Sequence, residues 1–190
     1  SDNSLNPTAT FLSDNFFGYL DSTEGYWTDS DNSVLVDLGI GRLPVKTLAE
    51  ATAAVNKIIN SATNGLNSSN PVNCNSATTG FGEWRNVVTF IGDDEDSGAH
   101  VILGTEPLAA KIDTTYPWYN SDKIYFDAYQ QISTPGGERY PDAEQAFIQR
   151  VERGNLLDTY VGHGGEIGLA HERVLTIPMI NEWTNFNRLA

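Results

Sequence analysis

The sequence predicts an α/β domain, a largely parallel sheet flanked by helices and truncated at both ends. Three observations predict it. Asn86-Val87-Val88-Thr89-Phe90-Ile91-Gly92 is β-branched and continuous, the pattern of a strand buried on both faces. Leu156 to Val161 is a second apolar run of strand length, stopped at once by the glycines of Gly162-His163-Gly164-Gly165. Helical patterns lie between and around these runs, and strands that alternate with helices form parallel sheets covered on both faces.

Taken in order, Ser1 to Asn15 reads as a polar arm with Pro7 and little periodicity. Phe16-Phe17-Gly18-Tyr19-Leu20 is a short strand candidate. After a polar turn from Asp21 to Ser33, Val34 to Val45 supplies its hairpin partner, closed by Pro44. Arg42, within Gly41-Arg42-Leu43-Pro44, suits either a carboxylate near a site or an ordinary structural ion pair. Thr47 caps a helix, with Glu50 three residues later as a capping box and Leu48, Ala51, Val55, Ile58 and Ile59 on one apolar face. That helix runs out near Ser61, and Asn64 to Gly82 is loop. Cys74 lies in this loop, and its asparagine neighbours supply neither a base nor a positive field to activate a thiol.

From Ala99 to Asp113 the positions Val101, Ile102, Leu108, Ala109 and Ile112 predict a helix, interrupted or begun again at Pro107. His100, in its first turn, reads as a surface histidine. Lys123 to Asp127 is a short strand, and Ser133 to Arg139 a turn around Pro135-Gly136-Gly137. Pro141 and Asp142 open a helix with Ala143, Phe147, Ile148 and Val151 on one face and Gly154 at its end. The strand from Leu156 follows, then a loop from Ile167 to Thr176 with a second histidine, His171. Pro178 starts a last helix with Ile180, Trp183, Phe186 and Leu189 inward. The alternation then asks for a strand beyond Ala190.

Composition bounds the function. Eleven basic against 25 acidic residues give a net charge of −14, which repels nucleic acid and anionic lipid. No run approaches the roughly 18 apolar residues of a membrane span. A single cysteine excludes an internal disulfide framework. With no initiator methionine and no signal peptide, the chain reads as a piece of something longer.

The chemistry gathers at strand ends. His163 ends a strand, which is where open α/β sheets bind ligands, and flanking glycines let a substrate backbone approach closely. An imidazole there suits proton transfer. A bare Gly-His-Gly-Gly also serves as a tight turn with a solvated histidine, and the strand before it weighs for the site. Asp93-Asp94-Glu95-Asp96 gathers four acids at the end of the other strand, against their mutual repulsion. This suits a cation, with Asp93 and Asp96 as calcium candidates, or else a solvated loop; the spacing is not that of an EF-hand. One of these acids would orient the imidazole if the two strands are neighbours. His163, His171, Glu166 and Glu172 lack H-E-x-x-H spacing, so no zinc site is expected. The G-x-S-x-G elbow of serine hydrolases is absent.

Strand, then Gly162-His163-Gly164-Gly165-Glu166, then helix resembles the histidine half of caspase-like cysteine peptidases. Three stretches resemble the gingipain family more closely: Gly39 to Val45 with its following helix, the acidic strand end at Asp93-Asp94, and Tyr160 to Glu166. Gly168 to Pro178, with Asn181-Glu182-Trp183-Thr184-Asn185, resembles the PorU-type sortases of the type IX secretion system. The resemblance covers nearly the whole chain. It implies a peptidase on the bacterial cell surface that removes carboxy-terminal sorting domains from exported proteins and passes them to a surface anchor, in company with other secretion components. His163 would be the general base, with Asp94, or its neighbour Asp93, orienting it. Gly162, Gly164, Gly165 and Glu166 would line the substrate cleft, with no cofactor beyond a calcium ion.

The family's nucleophilic cysteine would lie on a strand beyond Ala190, so the chain would be inactive alone, and its exposed sheet edges would favour dimerisation. Ser1 would likewise fall after the family's first strand. A non-catalytic calcium- or peptide-binding module of the same fold is the competing expectation.

Overall fold

In the computed structural model, residues 14–21, 36–63, 82–94, 98–185 and 188 are described. The chain divides into two units, Ser1–Ala54 and Val55–Ala190.

In the first unit the expected strand at Phe16 is instead a 3-10 turn, Asn15–Gly18, with Phe16 and Phe17 exposed. Its would-be partner, from Val36 to Val45, has no strand structure. Their backbones meet at one carbonyl, since the N–H groups of Asp37 and Leu38 both donate to Gly18 O (2.9 and 3.3 Å), while Leu20 N–H donates to the Asp37 carboxylate (2.9 Å) rather than to a backbone partner. One shared acceptor cannot found a ladder, in which successive residues must each find a partner. Arg42 pairs with Asp14, both partly exposed, so it takes the ordinary ion-pair role. Helix α1, Leu48–Thr63, forms as its capping box directs: Glu50 N–H donates to Thr47 Oγ1, and Thr47 N–H to Glu50 Oε2, both at 3.2 Å.

The second unit is built on strand β1, Val87–Gly92, every residue of which is buried. It lies between β2 (Asn120–Tyr125) and β5 (Leu157–Val161), parallel to both. This is the predicted α/β architecture, a parallel sheet flanked by helices. Alternation along β1 divides the core between its two faces. Ile91 joins Ile124, Phe126 and Tyr140 against Ala143, Phe147 and Val151 of helix α3, Pro141–Arg153. Val88 and Phe90 face the other way, onto Ala109 and Ile112 of helix α2, Glu106–Thr115. Pro107 starts α2 as read, and the turns before it, His100–Thr105, are π-helical.

Four elements differ from expectation. Strand β2 begins at Asn120, earlier than its apolar residues suggest; as an edge strand it tolerates polar Asn120, Ser121 and Asp122 opposite Val87 to Thr89. The turn around Pro135 is a short hairpin, β3 (Ile132–Thr134) with β4 (Gly137–Arg139). The stretch after His163 also folds back, β6 (Gly168–Leu169) on β7 (Leu175–Thr176). The last helix, α4 (Ile177–Asn181), is little more than a turn. Ile180 is exposed rather than inward, and Thr184 donates both its N–H (2.7 Å) and its hydroxyl (2.6 Å) to the Glu152 carboxylate. Phe186, Leu189 and Cys74 lie outside the described residues.

Gly154 ends α3 in the left-handed region (φ 84°), and its N–H caps Arg150 and Val151 carbonyls. Leu156 N–H then donates to Val87 O (2.8 Å), which fixes β5 beside β1. Buried Asn155 ties the two strands further, donating to Thr89 Oγ1 (2.9 Å) and to Asp158. Burial raises the Asp158 carboxyl above its ordinary value near 3.8, against the hydrogen bonds from Asn155 and Thr89. A carboxyl with a raised folded pKa binds more protons folded than unfolded, so its contribution falls as pH rises through that range. Urea midpoints from pH 4 to 7 should therefore shift in favour of Asp158→Asn over wild type as pH rises. Parallel curves would contradict this.

Candidate active site

Registered pairing sets the site. Gly92 of β1 lies opposite Val161 of β5, so the next residues, Asp93 and Gly162, leave the sheet side by side. Asp93 N–H continues the ladder to Val161 O (3.0 Å). Its buried carboxylate then receives His163 twice: the backbone N–H donates to Oδ2 at 2.8 Å, and the imidazole Nδ1 lies 3.3 Å from the same oxygen. The other oxygen, Oδ1, accepts Asp94 N–H at 3.2 Å. A carboxylate held by backbone donors at both oxygens is a fixed acceptor, and it directs Nδ1 inward.

The loop is pinned from its other side. His163 O accepts Ala170 N–H (2.9 Å) and the Tyr160 hydroxyl (2.6 Å), and Gly165 N–H donates to Gly168 O (3.0 Å). Burial, with the negative charge of Asp93 close by, raises the Tyr160 phenol well above its usual range, so it remains a donor. The result is an imidazole fixed on its carboxylate side and still 39% exposed in its side chain, so that a substrate can reach it. It borders a cavity of about 400 Å³ lined also by Gly164, Gly165, Glu166, His171 and Arg173.

Gly162 is required by this approach. A Cβ there would stand 2.3 Å from Asp93 Cβ and 2.7 Å from Asp93 Oδ2. Gly162→Ala should therefore push the carboxylate off the imidazole and lower stability by about 1–3 kcal/mol in urea unfolding. An unchanged unfolding midpoint would contradict this packing.

The profile of Peptidase family C25 matches residues 2–190. The chain belongs to peptidase family C25, the gingipain family. No curated protein and no solved structure gives a match. Family C25 comprises cysteine peptidases, and the His163 turn at the end of β5 lies in the matched region.

Within this gingipain-type domain, the carboxylate held against the imidazole is that of Asp93. Asp94, to which the resemblance pointed first, is also buried, but its Oδ2 accepts the Tyr140 hydroxyl at 3.1 Å and lies 3.5 Å from the Gln131 amide. That bond and burial raise the Tyr140 phenol, burial most. Gly164, Gly165 and Glu166 line the cavity, whereas Gly162 packs on Asp93. Of the calcium candidates, Asp93 is engaged with His163, and Asp96 lies outside the described residues.

Two residues at the site were missed by sequence reasoning. His100, read as a surface residue, is half-buried and meets the His163 ring edge to face at a centroid distance of 4.8 Å. His171 stacks on the His163 ring, 5.0 Å away and 15° from parallel. All three histidines of the chain thus meet at one point. Ala170 (φ 62°) and Arg173 (φ 57°), both in the left-handed region, bracket His171 and buried Glu172. Such conformations are disfavoured for non-glycine residues and recur at functional sites. No local signal marks His100, because only the parallel pairing of β1 and β5 brings it near.

Proposed function

We propose that this gingipain-type domain carries the general base of a type IX secretion sortase, a PorU-type peptidase that cleaves carboxy-terminal sorting domains from exported proteins and transfers the new end to a surface anchor. The observation that carries the reading is the His163–Asp93 pair beside a glycine-lined cleft at the sheet's carboxyl end. In this reading Asp93 holds Nδ1 and stabilises the imidazolium, while Nε2 takes the thiol proton of the nucleophile. The thiolate attacks the scissile carbonyl, and the imidazolium returns the proton to the leaving amine. The acyl-enzyme is then released to water or to an incoming amine of the anchor.

The nucleophile in this proposal is a cysteine on a strand that follows Ala190 and pairs beside β5. In support, β5 ends the described sheet, order β2-β1-β5, and Leu157 on it is exposed. Between the sheet face there, with Val88, Phe90 and Leu157, and Ile112 of helix α2 lies a cavity of about 340 Å³ that side chains of an added strand would fill. The domain would work on the outer cell surface with the other secretion components, and a domain lacking that strand would be inactive.

The test is a chain continued through that strand, incubated with an exported protein bearing its sorting domain and with an amine acceptor. The expected result is release of the sorting domain and a cargo end joined to the acceptor. Cleavage with water alone as acceptor would remove the transfer step, and no cleavage would contradict the sortase reading.

A further inference from the structure

We propose that the ends of β1 and β5, with the π-helical turn between β1 and α2, form a site for a borderline divalent transition metal, zinc above all, held by Asp93, His100 and His163. The ligand atoms of these three residues lie within 4.8 Å of one another. The tightest pair, Asp93 Oδ2 and His163 Nδ1, is 3.3 Å apart. Two ligands about 2.0–2.2 Å from a tetrahedral zinc ion stand roughly 3.3–3.6 Å apart. This pair therefore already spans one edge of the tetrahedron. Side-chain rotations on the order of an ångström bring in the third ligand at zinc distances.

The hydrogen bonds around the cluster prepare it for a metal. His100 Nδ1 lies 2.8 Å from Asp94 O. A carbonyl only accepts, so Nδ1 carries the proton and Nε2 presents its lone pair. A ring N–H bound to a backbone carbonyl is how ligating histidines are commonly oriented. Asp93 is buried and fixed by Asp94 N–H at Oδ1. His171, stacked on His163 at the cavity, or a water completes four-coordination.

Two imidazoles and one carboxylate suit zinc, copper or nickel, whereas calcium and magnesium take oxygen ligands. The donor set thus differs from the acidic calcium site expected from the sequence. It also escapes the H-E-x-x-H spacing argument, because its ligands come from a strand end, a π-helical turn and a glycine turn rather than from one helix. A metal between Asp93 and His163 takes the imidazole out of proton transfer, so the bound ion would switch the peptidase off reversibly. That consequence rests on the reading of His163 as base; the binding itself does not.

The experiment titrates the 190-residue chain with cobalt, following its visible absorption, and with zinc by calorimetry. One ion per chain is expected, with zinc displacing cobalt, and with affinity at least tenfold weaker in His100→Ala and in His163→Ala but unchanged in Glu166→Gln. Ring-nitrogen NMR of the unmutated chain guards against a variant that fails to fold: the His100 and His163 signals should move together on adding zinc. Absent binding, unchanged affinity in His100→Ala, or movement of the His171 signals alone would overturn the site, as would displacement of zinc by calcium. In an active, continued chain a chelator should restore zinc-inhibited cleavage. If zinc binds as described and cleavage is unaffected, the base assignment of His163 fails and the metal site stands.

Discussion

His163→Ala is expected to lower peptide cleavage by the continued, active chain by at least about 10³-fold, mostly in kcat. General-base catalysis contributes about 10²–10⁴-fold, and in the proposed mechanism the same imidazole both generates the thiolate and protonates the leaving amine. Little of this loss should appear in KM, because Gly164, Gly165 and Glu166 line the cavity as well. The alanine also removes ring contacts to His100 and His171. His163→Gln, which fills the space without a base of suitable pKa, separates chemistry from packing and should be nearly as inactive. Retained cleavage in either variant, measured on a peptide substrate with the fold checked by circular dichroism, would remove His163 from the mechanism.

The second large effect distinguishes two adjacent acids. Asp93→Asn should reduce kcat by about 10²–10⁴-fold, since the amide keeps an oxygen for the His163 N–H but offers no charge to the imidazolium. Asp94→Asn should stay within about threefold of wild type, because an amide oxygen still accepts the Tyr140 hydroxyl that lies 3.1 Å from Oδ2. The contrast is measured as kcat for both variants under the same conditions. Equal losses would mean that the two carboxylates act as a unit, and a larger loss at Asp94 would reverse the assignment.

The legible parts of this chain were those decided by local pattern. Continuous β-branched Val87 to Ile91 could only be a central strand, Thr47 with Glu50 capped its helix, and Gly154 closed α3 with a positive φ. Phe16 to Leu20 reads as a strand because aromatic residues suit strands; whether a partner extends alongside is decided by tertiary contacts, and here none does among the described residues. The choice between Asp93 and Asp94 depends on register. Counting from Gly92 and Val161 as facing residues puts Asp93 against Gly162, and a glycine in that place is the one signal that was available. His100 and His171 join the site through a π-helical turn and a hairpin, neither of which has a periodicity to read.

The proposed base–nucleophile pair is tested most directly by alkylating thiols near neutral pH in a chain continued past Ala190 through the proposed nucleophile strand, with and without His163→Ala. Rapid labelling of a cysteine on that strand, slowed at least tenfold in the variant while Cys74 labels equally in both, is the predicted result. Equal, slow labelling of every cysteine in both proteins would mean that His163 activates no thiol, and would contradict the peptidase mechanism proposed for this site.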